Sequence, residues 1–171
     1  MALLREIPYD REAAVAYANE WAYRRNPKYY DFSEIGGDCT NFASQCVYAG
    51  CGIMNYTPTY GWYYVNINDR APAWTSVMYF YQFMTTNQGV GPFGENAPIE
   101  EVEPGDLVQI RFQGSEVFNH TPVIVQIDGR KTTGNILIAA HSNDVNCRPL
   151  NTYQNVAELR FIHILGARYR E

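Results

Sequence analysis

The sequence predicts an α+β fold, and three observations carry that expectation. Helical periodicity is confined to the first half of the chain, up to about residue 86. Strand-like alternation and turn signals fill the second half, from about residue 104. The 171 residues, 46% apolar and 18% charged, suit one compact core, read as a single domain over 1–171. Helices first and strands later points to helices packed on one face of an antiparallel sheet.

The elements follow in order. In "YDREAAVAYANEWAYRRNP", Asp10 is a plausible N-cap. Ala14, Tyr17, Ala18 and Trp21 repeat at helical spacing, and Asn26-Pro27 ends the run. A second helix is expected from about Cys39 to Ala49, with Phe42, Ala43, Cys46 and Val47 as its apolar stripe and "GCG" as its stop. Residues 50–72 read as an irregular aromatic loop, and "AWTSVMYFYQFMTT" as a third helix. Pro104-Gly105 is a turn, after which "LVQI" begins a strand. "HTPVIVQI" and "NILIAAHS" form a hairpin with Asp128-Gly129 in its connection. "LRFIHILGARY" is the last strand.

Composition excludes several classes. The net charge of −5 leaves no basic footprint for nucleic acid. No apolar run reaches membrane-spanning length, and the opening "MALLREIPYDREAA" lacks signal-peptide features. The cysteines at 39, 46, 51 and 147 include no C-x-x-C, so no zinc site and no other metal or cofactor is expected. Cys39 and Cys46, seven residues apart on one helix, would lie about 10 Å apart, too far for a disulfide. The 14 tyrosines against 8 phenylalanines hint at a lined groove, since tyrosine joins an apolar body to a wet tip.

The chemistry concentrates in "EIGGDCTNFASQCVYAG", residues 34–50. Cys39 falls at a helix N-terminus, where the dipole favours a thiolate and free N–H groups can hold an oxyanion. Gly36 and Gly37 allow close approach of backbone and substrate. Asp38 is placed to cap the helix. Cys46, two turns inside, reads as a small core hydrophobe. A nucleophile needs a base. His120 opens one strand of the hairpin and His141 ends the other, so the two are expected side by side at one end of the sheet. His120 would take the Cys39 proton, giving a thiolate–imidazolium pair. His141 would orient His120, with Asn143 or Asp144 able to do so instead. His163, in mid-strand, reads as structural.

These residues resemble papain-like cysteine hydrolases, closest to the bacterial "putative amidase" domain family and the NlpC-type and CHAP cell-wall amidases. The resemblance rests on "GGDCTNFASQCVYAG", "PGDLVQI", "NHTPVIVQI", "LIAAHSND" and the tryptophan-led "AWTSVMYFYQFM", spread over residues 10–168. It implies a nucleophile helix packed on an antiparallel sheet, a Cys39, His120 and third-polar-residue order, and amide hydrolysis without a cofactor, often in peptidoglycan peptides. Papain has a glutamine six residues before its nucleophile; Ser33 stands there in this chain. Tyr29 or Tyr30 could match the upstream tyrosine of NlpC-type enzymes and complete the oxyanion hole. The resemblance also implies the cell wall or an extracellular setting; with no export signal in the opening residues, the chain stays in the cytosol, leaves by another route or is a piece of a larger exported protein.

Trp62 and Trp74, with Tyr60, Tyr63 and Tyr64, are candidates to line a groove for a peptide or glycan. Acidic character gives no electrostatic help toward anionic wall polymers, which favours a peptide stem or small amide. Two rival readings use the same residues: acyl transfer to an amine, as in transglutaminase-like chains, and a non-catalytic binding module. Oligomeric state has no signature in the sequence.

Overall fold

Asp10 begins the first helix, its carboxylate accepting from the Ala13 amide at 3.0 Å. A computed structural model describes residues 3–171, and in it α1 spans Arg11–Trp21. The second helix, α2, spans Cys39–Cys51. It stops at Gly52, whose φ of 69° sends its amide back to the Tyr48 carbonyl, the left-handed stop for which glycine carries no Cβ penalty. The third predicted helix is two: α3 (Pro72–Thr75) and α4 (Val77–Thr86). Ser76 breaks them because it is extended, and its hydroxyl caps α4 through the Tyr79 amide.

The strands are β1 (Leu4–Ile7), β2 (Tyr64–Asn66), β3 (Asp69–Arg70), β4 (Gly91–Ala97), β5 (Leu107–Phe112), β6 (Val123–Ile127), β7 (Ile136–Ala140), β8 (Val145–Pro149) and β9 (Val156–Arg170). The expected α+β class is therefore present, with β1, β4 and β8 beyond the strands read from the sequence. Strands β2 and β3 form a small ribbon inside the segment expected to be irregular. The main sheet is antiparallel, in the order β1-β9-β5-β6-β7-β8, with β4 also paired to β9.

Alternation along β5, β6 and β7 sends side chains to two different cores. Leu107, Val123, Val125 and Ala139 pack with Phe42, Val47, Trp62, Trp74 and Phe80 on the helical side. Val108, Ile110, Ile124, Ile138 and Ala140 face a second cluster closed by Val102, Leu150 and Phe161. A sheet covered on both faces explains near-continuous apolar runs such as "VIV".

Helix α2 lies at the centre and is buried around most of its circumference, so its polar side chains need internal partners. Asn41 donates to the Tyr30 carbonyl (2.9 Å) and accepts from Trp74 Nε1 (2.9 Å). Ser44 donates to the Trp74 carbonyl (2.9 Å) and accepts from Trp62 Nε1 (3.0 Å). Tyr17 donates to Gln45. Trp62 and Trp74 are fully buried, which corrects the expectation that they line a groove: their indole N–H groups hold α2 in place. Trp74→Phe removes the donor to Asn41 Oδ1 and is expected to lower stability by about 1–3 kcal/mol, read as a lower urea midpoint at unchanged slope.

Candidate active site

Asp38 precedes α2, and its carboxylate is sealed from solvent. It does not cap the helix as the sequence suggested. One oxygen accepts from the Phe32 amide (2.8 Å) and Asn41 Nδ2 (2.9 Å). The other accepts from His141 Nδ1 at 2.5 Å. With Asp38 turned inward, the first-turn amides of Cys39 and Thr40 have no side-chain acceptor. They remain donors at the positive end of a helix dipole. Gly36 and Gly37, at φ 81° and 100°, make the left-handed approach to this point, and Ser142 Oγ accepts from the Asp38 amide at 3.3 Å.

The residues that directly follow Cys39 and His120 are in contact. Thr40 Oγ1 and Thr121 Oγ1 lie 3.0 Å apart in the interior, and Gln109 Nε2 donates to the Thr121 hydroxyl at 3.3 Å. This link fastens the start of α2 to the chain entering β6. The Cys39 thiol, 9% exposed, contacts Thr40 Oγ1 at 3.7 Å. His120 forms a backbone bridge with Ile110. Its Nε2 lies 3.0 Å from the hydroxyl of Tyr153, whose ring meets the imidazole edge-on. Thiol and imidazole make no direct hydrogen bond among the described residues. Contacts of this kind often tighten only when substrate is bound.

His141 does not orient His120, which corrects the expected pairing. Val123 pairs with Ala139, so the residue opposite His141 is Thr121, and His120 points to the other face. The His141 ring instead stacks on Phe42 (4.0 Å between centroids). Its Nδ1 lies 2.5 Å from Asp38 Oδ2, and its Nε2 lies 2.8 Å from the Trp21 carbonyl and 3.2 Å from Arg25 Nη1. Asp144 is also committed elsewhere, holding both terminal nitrogens of Arg25 at 2.9 and 3.0 Å. Arg25 further approaches Asp31 (3.3 Å) and Asp38 (3.6 Å). Asn143, at φ 60° beside Ser142 at 69°, turns β7 into β8. Tyr30 gives its carbonyl to Asn41, its amide donates to Tyr64, and its ring meets Phe32 edge-on. His163 donates to buried Asp106 at 2.7 Å.

A cavity of about 370 Å³ opens at this end of the sheet. It is lined by His120, Tyr153, Arg148, Asn119, Asn143 and Gln154, with Phe112 and Ser142 at its wall. Tyr153 and Arg148 have no motif in the sequence to single them out: Arg148 sits in β8 beside exposed Cys147, and Tyr153 follows the short turn of Leu150–Thr152. Among the described residues, no group of three or more His, Cys, Asp or Glu side chains could hold a metal. Among the described residues, no helix is long and apolar enough to cross a membrane.

Burial sets the protonation of this cluster. It pushes the Cys39 thiol above its ordinary 9.0, with hydrogen bonds from Thr40 and Thr121 pulling the other way and Asp38 adding to the rise. The expected thiolate is therefore replaced by a resting thiol. Burial, then the Arg148 charge, lowers His120 from 6.5 to about 4. Burial raises Tyr153 to about 12, so its phenol stays neutral.

Two outcomes follow. Between pH 6.5 and about 4 the unfolded chain binds a proton at residue 120 that the folded chain refuses. Stability is full above that window and falls through it by on the order of 3 kcal/mol. His120→Gln should flatten this part of a pH series of urea melts. Iodoacetamide at pH 7 should label exposed Cys147 ahead of Cys39, and the Cys39 rate should climb through pH 9. A rate for Cys39 that levels off below pH 7 would mean that the helix tip outweighs burial.

The chain is 32% identical over 146 residues to "Uncharacterized protein YhbB" of Bacillus subtilis (strain 168), a match covering 84% of this chain and 45% of that protein. The chain thus spans less than half the length of this curated relative. No solved structure matches. A sequence profile described as "Putative amidase domain" matches residues 8–164, nearly the whole of the two-core fold and all of the cluster around Cys39 and His120, and the chain belongs to that family.

Proposed function

We propose that this domain hydrolyses an amide bond by cysteine chemistry of the papain-like kind, related to NlpC-type and CHAP amidases, with a peptidoglycan stem peptide or related cell-wall amide as substrate. The family's description supports amide hydrolysis. The observation that supports the cysteine mechanism is the Thr40–Thr121 contact: each threonine directly follows a candidate reacting residue, Cys39 or His120, and His120 lines a polar cavity.

In this reading the imidazole Nε2–H donates to the Tyr153 oxygen, leaving Nδ1 free as the base. Nδ1 takes the Cys39 proton as sulfur attacks the carbonyl carbon, and the oxygen charge that develops meets the open amides of the α2 first turn. The imidazolium then protonates the leaving amine, and water releases the acid by the same path in reverse. A neutral resting pair suits this order: the ions form only when substrate has excluded water, and the charges offset one another. Tyr153 takes the orienting role first expected of His141, while His141 braces Asp38. Amide groups of Asn119, Asn143 and Gln154 match the hydrogen-bonding needs of a peptide.

Peptidoglycan fragments and synthetic peptide amides, followed by mass spectrometry, test the assignment. Cys39→Ala should reduce product to background, and His120→Ala should slow turnover by about 10²–10⁴-fold. Tyr153→Phe should lower kcat more than it raises KM. His141→Asn should chiefly lower stability, with a smaller loss of kcat per folded molecule than Tyr153→Phe. Unchanged turnover in Cys39→Ala would remove the cysteine mechanism.

A further inference from the structure

Arg148 is the one charged side chain lining the cavity. Its Nε donates to Thr152 Oγ1 at 2.5 Å and its Nη2 to the Thr152 carbonyl at 3.0 Å. The guanidinium lies 4.3 Å from the centre of the Tyr153 ring. These contacts fix its direction without neutralising it. Six other arginines, at 5, 11, 24, 25, 111 and 168, are paired with carboxylates. Arg148 has no acidic partner among the described residues, in a chain whose net charge is −5, and its Nη1 makes no hydrogen bond there.

We propose that Arg148 recognises a carboxylate on the substrate, close to the amide that is cleaved, so that the site takes acidic peptides in preference to neutral ones. This rests on the amidase reading of the cavity. The remaining polar lining is uncharged: Asn119, Asn143, Gln154 and Ser142. It can satisfy peptide groups but cannot distinguish a carboxylate from a carboxamide. A guanidinium can, because its fixed fork of donors pairs with two oxygens at once. The position also has a consequence for the base. The Arg148 charge opposes protonation of His120, and a bound carboxylate offsets that charge. The correct substrate thereby favours the imidazolium that proton transfer must create. The other titratable group in contact with His120 is Tyr153, whose phenol is neutral.

The test uses the full chain carrying Cys39→Ala, so that nothing turns over. N-Acetylglycylglycine and its carboxamide are titrated separately while the ring resonances of His120 and Tyr153 are followed by NMR. The carboxylate is expected to shift both rings and to bind roughly tenfold tighter than the carboxamide. Arg148→Gln should erase the difference, and Arg148→Lys should keep part of it; the dispersion of the same spectra verifies that each variant is folded. Equal binding of the two probes, no binding of the carboxylate, or a preference that survives Arg148→Gln would overturn the proposal. The hydrolase reading fails by a separate route, the absence of product when the unsubstituted protein meets peptide amides.

Discussion

The carboxylate of Asp38 is the constraint on which the site depends. A buried charge is costly unless it is paired and hydrogen-bonded. Asp38 meets that condition with two local donors, the Phe32 amide and Asn41 on α2, and one distant partner, His141 just past the end of β7. His141 passes the connection to the end of α1 through the Trp21 carbonyl. Arg25, bound to Asp144, supplies a cation at the same place. The direction of α2, and so the position of Cys39, is fixed by this knot and not by the helix alone. The same commitment turns Asp38 away from the amides it would otherwise cap, leaving donors free where a reacting oxygen needs them.

Two effects compete at the thiol. A helix terminus favours an adjacent negative charge by about 0.3–1 kcal/mol at exposed sites. Burial acts against the thiolate and prevails here, raising the Cys39 pKa. It acts in the opposite sense on the imidazole, which is driven toward neutrality. Both groups are thus uncharged at rest, and in the proposed mechanism proton transfer accompanies attack. Such an arrangement protects an unoccupied sulfur from oxidants, since the thiolate is the reactive form.

Much of the helical layer was legible in the sequence. Asp10, the alanine–tyrosine spacing of α1 and the glycine stop of α2 carry local signals that tertiary contacts reinforce. Other features had no local signal. "GPFGENA" reads as a loop, yet β4 pairs with β9 along its length, because strand formation there is decided by the partner. Ser76 splits the third helix through a cap that helical periodicity does not reveal. Cys39 and His120 are candidates from residue type and position alone, and the proposed function rests on them. The error over His141 arose from pairing two strand ends without following the alternation of faces. Trp62 and Trp74 looked like groove residues because sequence records their rings but not the hydroxyl and amide on α2 that receive their N–H groups. Tyr153 and Arg148 were invisible because their relevance depends on the return of the chain beside β7.

Strand β9 pairs with β1, β4 and β5. The first of these contacts joins residue 4 to residue 170. The β1, β4 and β5 part of the sheet must therefore wait until residues 156–170 leave the ribosome. Until then the helices have only part of the sheet beneath them, and long-range closure of this kind is slow and exposes sticky surface. The growing chain is consequently a natural client for chaperones that hold nascent polypeptides.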